Sequence, residues 1–210
     1  MTVELRQLTP AAEEGWATLF APAKETTEGW ILVGGQMMFV LAVEHGAERI
    51  RPTEDIDGVV NLRVRPDGTE WLSRWLEQRD FVLEGVNAEQ IGHRFVRPTS
   101  SGRGKVTFDV LAPSGVGERA RRTTVPPART VRAPGRLQAF ERSRLVEVLI
   151  SDFSDLNERT ATVRCPDLLG LSSPRPRRRA SRCGRTRRGT GRMSHFSSAC
   201  SLTLSGRLRS

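Results

Sequence analysis

The chain has 210 residues, which is enough for one domain of ordinary size with its own hydrophobic core. No window reaches the roughly 18 consecutive apolar residues that a membrane span needs, and the N-terminus carries acids where a signal peptide would be basic and then apolar. We therefore expect a cytoplasmic protein with no membrane partner. The three cysteines lack the C-x-x-C spacing of a zinc site, so we expect reduced thiols.

The formal net charge of +9 is concentrated near the C-terminus. Residues 171–210 hold eleven of the 33 basic residues and no acid, which leaves 22 basic against 24 acidic residues, a net charge of −2, in residues 1–170. Arg, Ser and Gly dominate the last 40 residues, a composition typical of disorder. The sequence thus predicts a folded domain over residues 1–170 and a disordered basic tail over residues 171–210.

The basic tail has two interpretations. Its arginines could hold nucleic acid through phosphate contacts. Alternatively, the tail is out of frame: codons that encode Leu171–Arg178 can encode Leu-Val-Ala-Lys-Ala-Ala-Ala in a shifted frame, which is a helix-forming sequence. A GC-rich gene read out of frame yields strings of Arg, Ser, Pro and Gly, and the change of composition is abrupt. The frameshift is the interpretation that we favour.

The first predicted elements alternate between helix and strand. Apolar residues at helical spacing predict a helix over Leu8–Phe20, followed by a loop that contains Pro22. A short buried strand is predicted at Trp30–Val33, and the pattern returns to helical spacing over Gln36–Glu48. Together these segments predict a strand, a tight turn and a helix.

The middle of the chain is predicted to form several strands and one amphipathic helix. Apolar residues predict a strand over Ile56–Val64, which ends at the turn Arg65–Gly68, and then a helix over Thr69–Arg79. Further strands are predicted at Phe81–Leu83, Gln90–Val96 and Val106–Leu111, with a hairpin turn at Ser100–Gly104.

After a loop rich in Pro and Arg, the pattern predicts a helix over Leu137–Arg142 and strands at Leu145–Ile150 and Ala161–Arg164. Pro166 stands where the first turn of another helix would begin. The fold class is therefore α/β (α+β), with a mixed sheet flanked by helices and no internal repeat.

The tripeptide Asp55-Ile56-Asp57 is the most informative in the chain. Side chains alternate faces along a strand, so Asp55 and Asp57 emerge on one face while Ile56 enters the core. Asp109 alternates in the same way with the apolar residues Val106, Phe108 and Val110. If the two strands are neighbours, three carboxylates converge.

Three carboxylates beside a glycine turn suggest phosphate chemistry. Carboxylate oxygens together with substrate phosphates suit Mg²⁺, or Mn²⁺, and such ions can clamp an in-line displacement at phosphorus. Gly34-Gly35 opens a predicted helix, whose free N–H groups and dipole can face a triphosphate. Each motif alone is weak evidence, since a D-x-D is more often a solvated strand end and a Gly-Gly is more often a simple turn. Their order and spacing favour a site.

These motifs resemble the nucleotidyltransferase superfamily, in particular the AbiEii/MenT-type toxins of bacterial toxin–antitoxin systems. The resemblance covers about residues 28–170 and rests on Leu32–Gly35 before a helix, on the Arg51–Asp57 segment and on Val106–Val110. It implies a nucleotidyltransferase fold with Asp55, Asp57 and Asp109 as catalytic and metal-binding residues. It also implies that Gly34, Gly35 and Thr53 bind the nucleotide.

The resemblance implies a Mg²⁺-dependent transfer of a nucleoside monophosphate from an NTP to an acceptor hydroxyl. Some of these toxins modify the 3′ end of tRNA, so the resemblance implies tRNA as one candidate acceptor and a cognate antitoxin as a candidate partner, whereas other members of the superfamily modify antibiotics or other small molecules. The sequence leaves the acceptor open among tRNA, a protein and a small molecule. The family also continues past residue 169 into a helix with a lysine, which this sequence lacks in its present frame. An inactive remnant that only binds a partner, and a nucleic-acid-binding module acting through the tail, are therefore the alternatives.

Overall fold

The computed structural model describes residues 2–6, 8–47, 53–117, 120, 122–134, 136–151 and 160–167, with the backbone alone at residues 136 and 137. The protein is a mixed α/β structure. Its four described helices are α1 (Pro10–Glu25), α2 (Gly34–Glu44), α3 (Gly68–Glu77) and α4 (Arg136–Glu141). Its described strands are β1 (Thr2–Leu5), β2 (Trp30–Val33), β3 (Asp55–Val60), β4 (Val82–Leu83), β5 (Arg94–Pro98), β6 (Lys105–Pro113), β7 (Arg132–Ala133), β8 (Ser143–Ile150) and β9 (Thr160–Pro166).

The strands form two sheets, and both are mixed. The larger sheet has the order β2-β3-β6-β5-β4, with β7 added along the end of β6. Within it β3 and β6 run parallel, while β2 with β3, β5 with β6 and β4 with β5 are antiparallel. The smaller sheet has the order β1-β8-β9, in which β1 and β8 are parallel.

One face of the larger sheet packs into the main core. Ile56, Phe108 and Phe95 lie side by side on β3, β6 and β5, and each is at most 1 % exposed. Helix α1 packs closely on this face, because a Cβ atom at Gly15 would lie 2.9 Å from Cδ1 of Ile56. Helix α3 packs beside it through Leu72. Burying such side chains stabilises the fold by about 1.5–3 kcal/mol each.

The opposite face of the larger sheet is apolar at one end and acidic at the other. Its apolar end is a smaller cluster that includes Ile31 and Val33 of β2, Val59 of β3 and Leu111 of β6. Residues of β7 and α4 cover this cluster. Because side chains alternate, the preceding residues on the same face of β3 are Asp57 and Asp55. The acidic end therefore lies directly beside the covered apolar end.

The predicted elements are largely confirmed, with shifts at their ends. Every strand and helix predicted between Leu8 and Arg164 has a counterpart in the structure, and Gly104 O accepts from Thr99 N at 3.2 Å in the predicted hairpin turn. The prediction that Pro22 lies in a loop is wrong. Helix α1 continues to Glu25 although Pro22 has no N–H to donate within the helix, because continuing keeps Phe20 and Ala23 buried in the core.

Two predicted strands are shorter than their apolar patterns suggested. Strand β3 ends at Val60, because the carbonyl of Asn61 accepts from the amides of Val64 and Arg65 and turns the chain. Strand β5 begins at Arg94 instead of Gln90, because the side chain of Asn87 accepts from Ile91 N at 2.8 Å and holds the preceding segment as a turn.

Two predicted helix boundaries also differ. Helix α2 begins at Gly34 and ends at Glu44, since Gly46 takes a positive φ of 70° just after the helix. The prediction that Pro166 opens a helix is wrong, because Pro166 is the last residue of β9 and pairs with Ser143. The residues that would carry the rest of that helix, and the predicted tail over 171–210, lie outside the described residues.

The described helices are all too short or too polar to cross a membrane. Cys165 is a free, buried thiol on β9, and burial raises its pKa to about 12. The thiol is therefore protonated and unreactive at neutral pH.

Candidate active site

The acidic end of the larger sheet is organised around one row of residues. Asp57 of β3 pairs in register with Asp109 of β6, and β2 and β5 extend this row with Val33 and Arg94. The sequence predicts convergence of the aspartates if their strands are neighbours, and the structure places the two strands side by side. Adjacent strands lie about 4.8 Å apart, so the two carboxylates emerge next to each other on the same face.

Asp55 extends the acidic surface by one step along β3. It lies on the same face as Asp57, and its backbone pairs with Thr107 of β6. The Asp55 side chain is 48 % exposed, whereas that of Asp109 is 8 % exposed. The three predicted aspartates thus run from the solvent toward the buried middle of the sheet.

The glycine turn lies directly against Asp57. Gly34 has a positive φ of 67°, and a Cβ atom placed on it would lie 1.7 Å from Oδ2 of Asp57. A side chain at position 34 is therefore excluded both by the backbone conformation and by the carboxylate. The predicted phosphate-binding turn and the predicted metal-binding residue form one continuous surface.

Gly35 makes a second close approach, to Thr53. A Cβ atom at Gly35 would lie 2.3 Å from Cγ2 of Thr53. The hydroxyl of Thr53 accepts from the backbone N of Asp55 at 3.3 Å, which holds the start of β3 against the glycine turn. The residues predicted to bind the nucleotide, Gly34, Gly35 and Thr53, are therefore next to one another.

Helix α2 begins at the glycine turn and points its N-terminus toward the acidic row. Val33 occupies the N-cap position, and its apolar side chain cannot cap the first-turn amides. The first turn has no acidic residue, so the positive end of the helix dipole is not neutralised from within the turn. Such an end can receive the oxygens of an anion.

Gln36 fixes this arrangement from inside the core. Its side chain is fully buried, accepts from Nε1 of Trp16 at 3.0 Å and donates to the carbonyl of Thr53. It therefore ties α1, α2 and the segment before β3 together. The sequence pattern includes Gln36 only as the first residue of the predicted helix Gln36–Glu48. A lone glutamine inside an otherwise apolar stretch of helix is the signal that could have indicated this buried bridge.

Arg94 is the residue that sequence reasoning missed. Its Nε and Nη2 donate to the two oxygens of Asp109 at 2.9 and 2.8 Å, and Nη2 lies 3.7 Å from Oδ2 of Asp55. The hydrogen bonds with Asp109 raise the pKa of Arg94, while burial opposes the rise. The available signal was its position on the alternating pattern of β5, opposite an aspartate on the next strand.

The donor set can be tested against a divalent cation. Carboxylates are the ligands that Mg²⁺ and Mn²⁺ prefer, and a cationic group, the Arg94 guanidinium, already lies between Asp109 and Asp55. The formal charges of Asp55, Asp57, Asp109 and Arg94 sum to −2. In the part of the chain that the structure describes, however, no group of three or more His, Cys, Asp or Glu side chains is arranged to hold a metal ion. Asp55, Asp57 and Asp109 have the oxygen ligands that such an ion prefers, but in this structure both oxygens of Asp109 are bound by Arg94.

Comparisons of the chain with protein-family models, with curated proteins and with solved structures found no match.

Proposed function

We propose that the protein is a divalent-metal-dependent nucleotidyltransferase with a nucleotidyltransferase fold. The observation that carries this proposal is the contact of Gly34 with Asp57, in a row where Asp57 pairs with Asp109. It brings an anion-binding helix N-terminus and a set of carboxylates to one edge of the sheet. Triphosphate chemistry needs both, since phosphate oxygens require donors and a neutralising cation.

Each residue has a role in this proposal. The carboxylates of Asp55 and Asp57 would hold a Mg²⁺ or Mn²⁺ ion, with Asp109 as third ligand. When bound, the metal supplies positive charge to the phosphate oxygens. Gly34 and Gly35 would present backbone N–H groups to the triphosphate, and Thr53 would fix the turn on which they lie.

The proposed reaction forms one bond at phosphorus, breaks another and transfers one proton. The acceptor hydroxyl oxygen forms a bond to the α-phosphorus of an NTP, and the bond from that phosphorus to the pyrophosphate oxygen breaks. The hydroxyl proton passes to the carboxylate of Asp109, acting as general base. The acceptor is tRNA if the chain acts as the toxin of a toxin–antitoxin system, and a small molecule if it resembles the antibiotic-modifying members.

Incorporation of label from α-labelled NTPs tests the proposal. The purified chain is incubated with Mg²⁺ or Mn²⁺ and each NTP in turn, with total tRNA or a small-molecule hydroxyl library as acceptor. We expect labelled product with the unmodified chain and background signal with Asp57→Ala. The control is Glu70→Gln, since Glu70 lies on α3 against the other face of the sheet. Activity that survives Asp57→Ala contradicts the assignment.

A second candidate is a catalytically inactive protein that only binds a partner, such as an antitoxin. The observation that favours it is the Arg94 side chain, which already occupies both oxygens of Asp109. This candidate predicts no transfer with any NTP and no binding of Mn²⁺, while a complex with the partner still forms. Binding of Mn²⁺ that depends on Asp57 would therefore exclude it.

A further inference from the structure

We infer that Arg94 is an internal counter-ion that competes with the divalent cation for Asp109, and that it passes to the substrate's phosphates when the cation binds. The inference rests on the proposed function. Arg94 is not part of the sequence motifs, which therefore do not predict this role. The role is a positioning one in the resting protein and a substrate-binding one once the metal and the triphosphate are present.

The Asp109 carboxylate has two oxygens that could bind a metal ion. Both are engaged by the fork of Arg94, at 2.9 Å from Nε and 2.8 Å from Nη2. Paired hydrogen bonds of this kind use the lone pairs that a metal ion would otherwise take. A divalent ion beside the guanidinium would also be repelled by it. Asp109 therefore serves either Arg94 or the metal in this geometry.

The Asp109 carboxylate is buried beside a second carboxylate and needs a positive partner. Asp109 is 8 % exposed and lies next to Asp57 on the neighbouring strand. An ionised carboxylate so far from water is costly unless it is paired. Arg94 supplies that pairing in the absence of a metal ion.

Arg94 lies where its side chain can move from Asp109 to a bound phosphate. Its side chain is 40 % exposed and lies on the face that carries Asp55 and Asp57, so it can leave Asp109 without crossing the sheet. Once released, the guanidinium needs an anion, and its fork matches the oxygens of a phosphate. The ion and the triphosphate would then bind cooperatively, since the ion frees Arg94 and the triphosphate receives it.

Binding of Mn²⁺ alone, followed by electron paramagnetic resonance of the free ion, tests the competition without any turnover. We expect Arg94→Gln to bind Mn²⁺ about tenfold more tightly than the unmodified chain, because the competing charge is removed. Arg94→Lys keeps the charge but loses the paired hydrogen bonds, so its affinity should lie between the two. Arg74→Gln is the matched control for net charge, because Arg74 pairs with Glu70 on α3.

Inorganic triphosphate tests the transfer of Arg94. At saturating Mn²⁺, calorimetric titration should give an affinity for triphosphate about tenfold weaker in Arg94→Gln than in the unmodified chain. Circular dichroism and thermal unfolding establish that each variant is folded. Arg94→Lys, which keeps a cation beside Asp109, provides the measurement if Arg94→Gln does not fold.

The outcomes separate this inference from the proposed function. Mn²⁺ affinity that is unchanged or weaker in Arg94→Gln overturns the inference alone, since Arg94 would then support the ligands permanently. Equal affinity for triphosphate in the two proteins overturns the transfer step. No Mn²⁺ binding in either protein, or binding that persists after Asp57→Asn, overturns the proposed metal site and the inference with it.

Discussion

Two rows of the larger sheet, one residue apart in the chain, have opposite characters. The row of Ile56, Phe108 and Phe95 is closed under helices, while the next row holds Asp57, Asp109 and Arg94. Both rows lie on the same three strands, β3, β6 and β5. The difference shows that the alternation of side chains lets one piece of backbone be a core on one face and a site on the other. Stability should therefore reside mainly in the first row and function in the second.

The core row should give the largest loss of stability. Phe108→Ala removes a fully buried ring between α3 and the neighbouring strands, and we expect the free energy of unfolding to fall by about 3–5 kcal/mol. Urea denaturation followed by circular dichroism measures it. Val82→Ala, at a residue that is 61 % exposed, is the control and should change little. A loss of under about 1 kcal/mol for Phe108→Ala would contradict the assignment of this row to the core.

The glycine turn belongs both to the packed structure and to the candidate site, so a substitution there should give the next largest loss of stability. Gly34→Ala forces a Cβ atom onto the Asp57 carboxylate and should lower the free energy of unfolding by about 2 kcal/mol or more. Gly46→Ala is the matched control, because Gly46 also has a positive φ but has nothing within 4 Å of the added atom. If Gly34→Ala and Gly46→Ala lower the free energy of unfolding equally, the clash with the Asp57 carboxylate contributes nothing to the loss at Gly34.

Asp109→Asn tests the buried end of the acidic row. It removes the charge that Arg94 pairs with, and we expect a loss of about 1–2 kcal/mol in the free energy of unfolding. The double variant with Arg94→Gln should lose less than the sum of the two single changes, since neither charge is then left alone. Strict additivity would mean that the pair is not coupled in solution.

Asp55→Asn should have the smallest effect on stability. The Asp55 side chain is about half exposed and its oxygen is 3.7 Å from Arg94, so we expect a change within about 0.5 kcal/mol. The same variant should still weaken Mn²⁺ binding, because it removes one proposed ligand. If Asp55→Asn lowers the free energy of unfolding as well as the Mn²⁺ affinity, the assignment of stability to one row and of ligand binding to the other is contradicted.

Much of the fold followed from local pattern. Strand β2 and the start of β3 could be predicted because buried apolar residues alternate or run together there, and Asp55 and Asp57 could be placed on one face by the same period. The apolar pattern alone could not show that β3 ends at Val60 and not at the predicted Val64. The carbonyl of Asn61 turns the chain there, although Leu62 is still buried.

The parts that escaped prediction depend on contacts between distant segments. Arg94 and Gln36 act through residues that are far away in sequence, Asp109 and Trp16, and neither partner is implied by the local pattern. The metal, the nucleotide, the acceptor and the cytoplasmic location stay predictions. So does the frameshift, which the DNA sequence around codons 168–172 would settle, because residues 168–210 lie outside the described part of the chain.

The parallel pairing of β3 with β6 has a consequence for the order of folding. We expect the antiparallel pair β2 and β3 to bring Gly34 and Asp57 together before β6 joins, because these two residues are closer in sequence to each other than to Asp109. Asp109 arrives with β6, from much farther along the chain, and Arg94 with the hairpin that β6 forms with β5. If the proposed metal site exists, we expect uptake of Mn²⁺ during refolding to begin only after β6 has paired with β3.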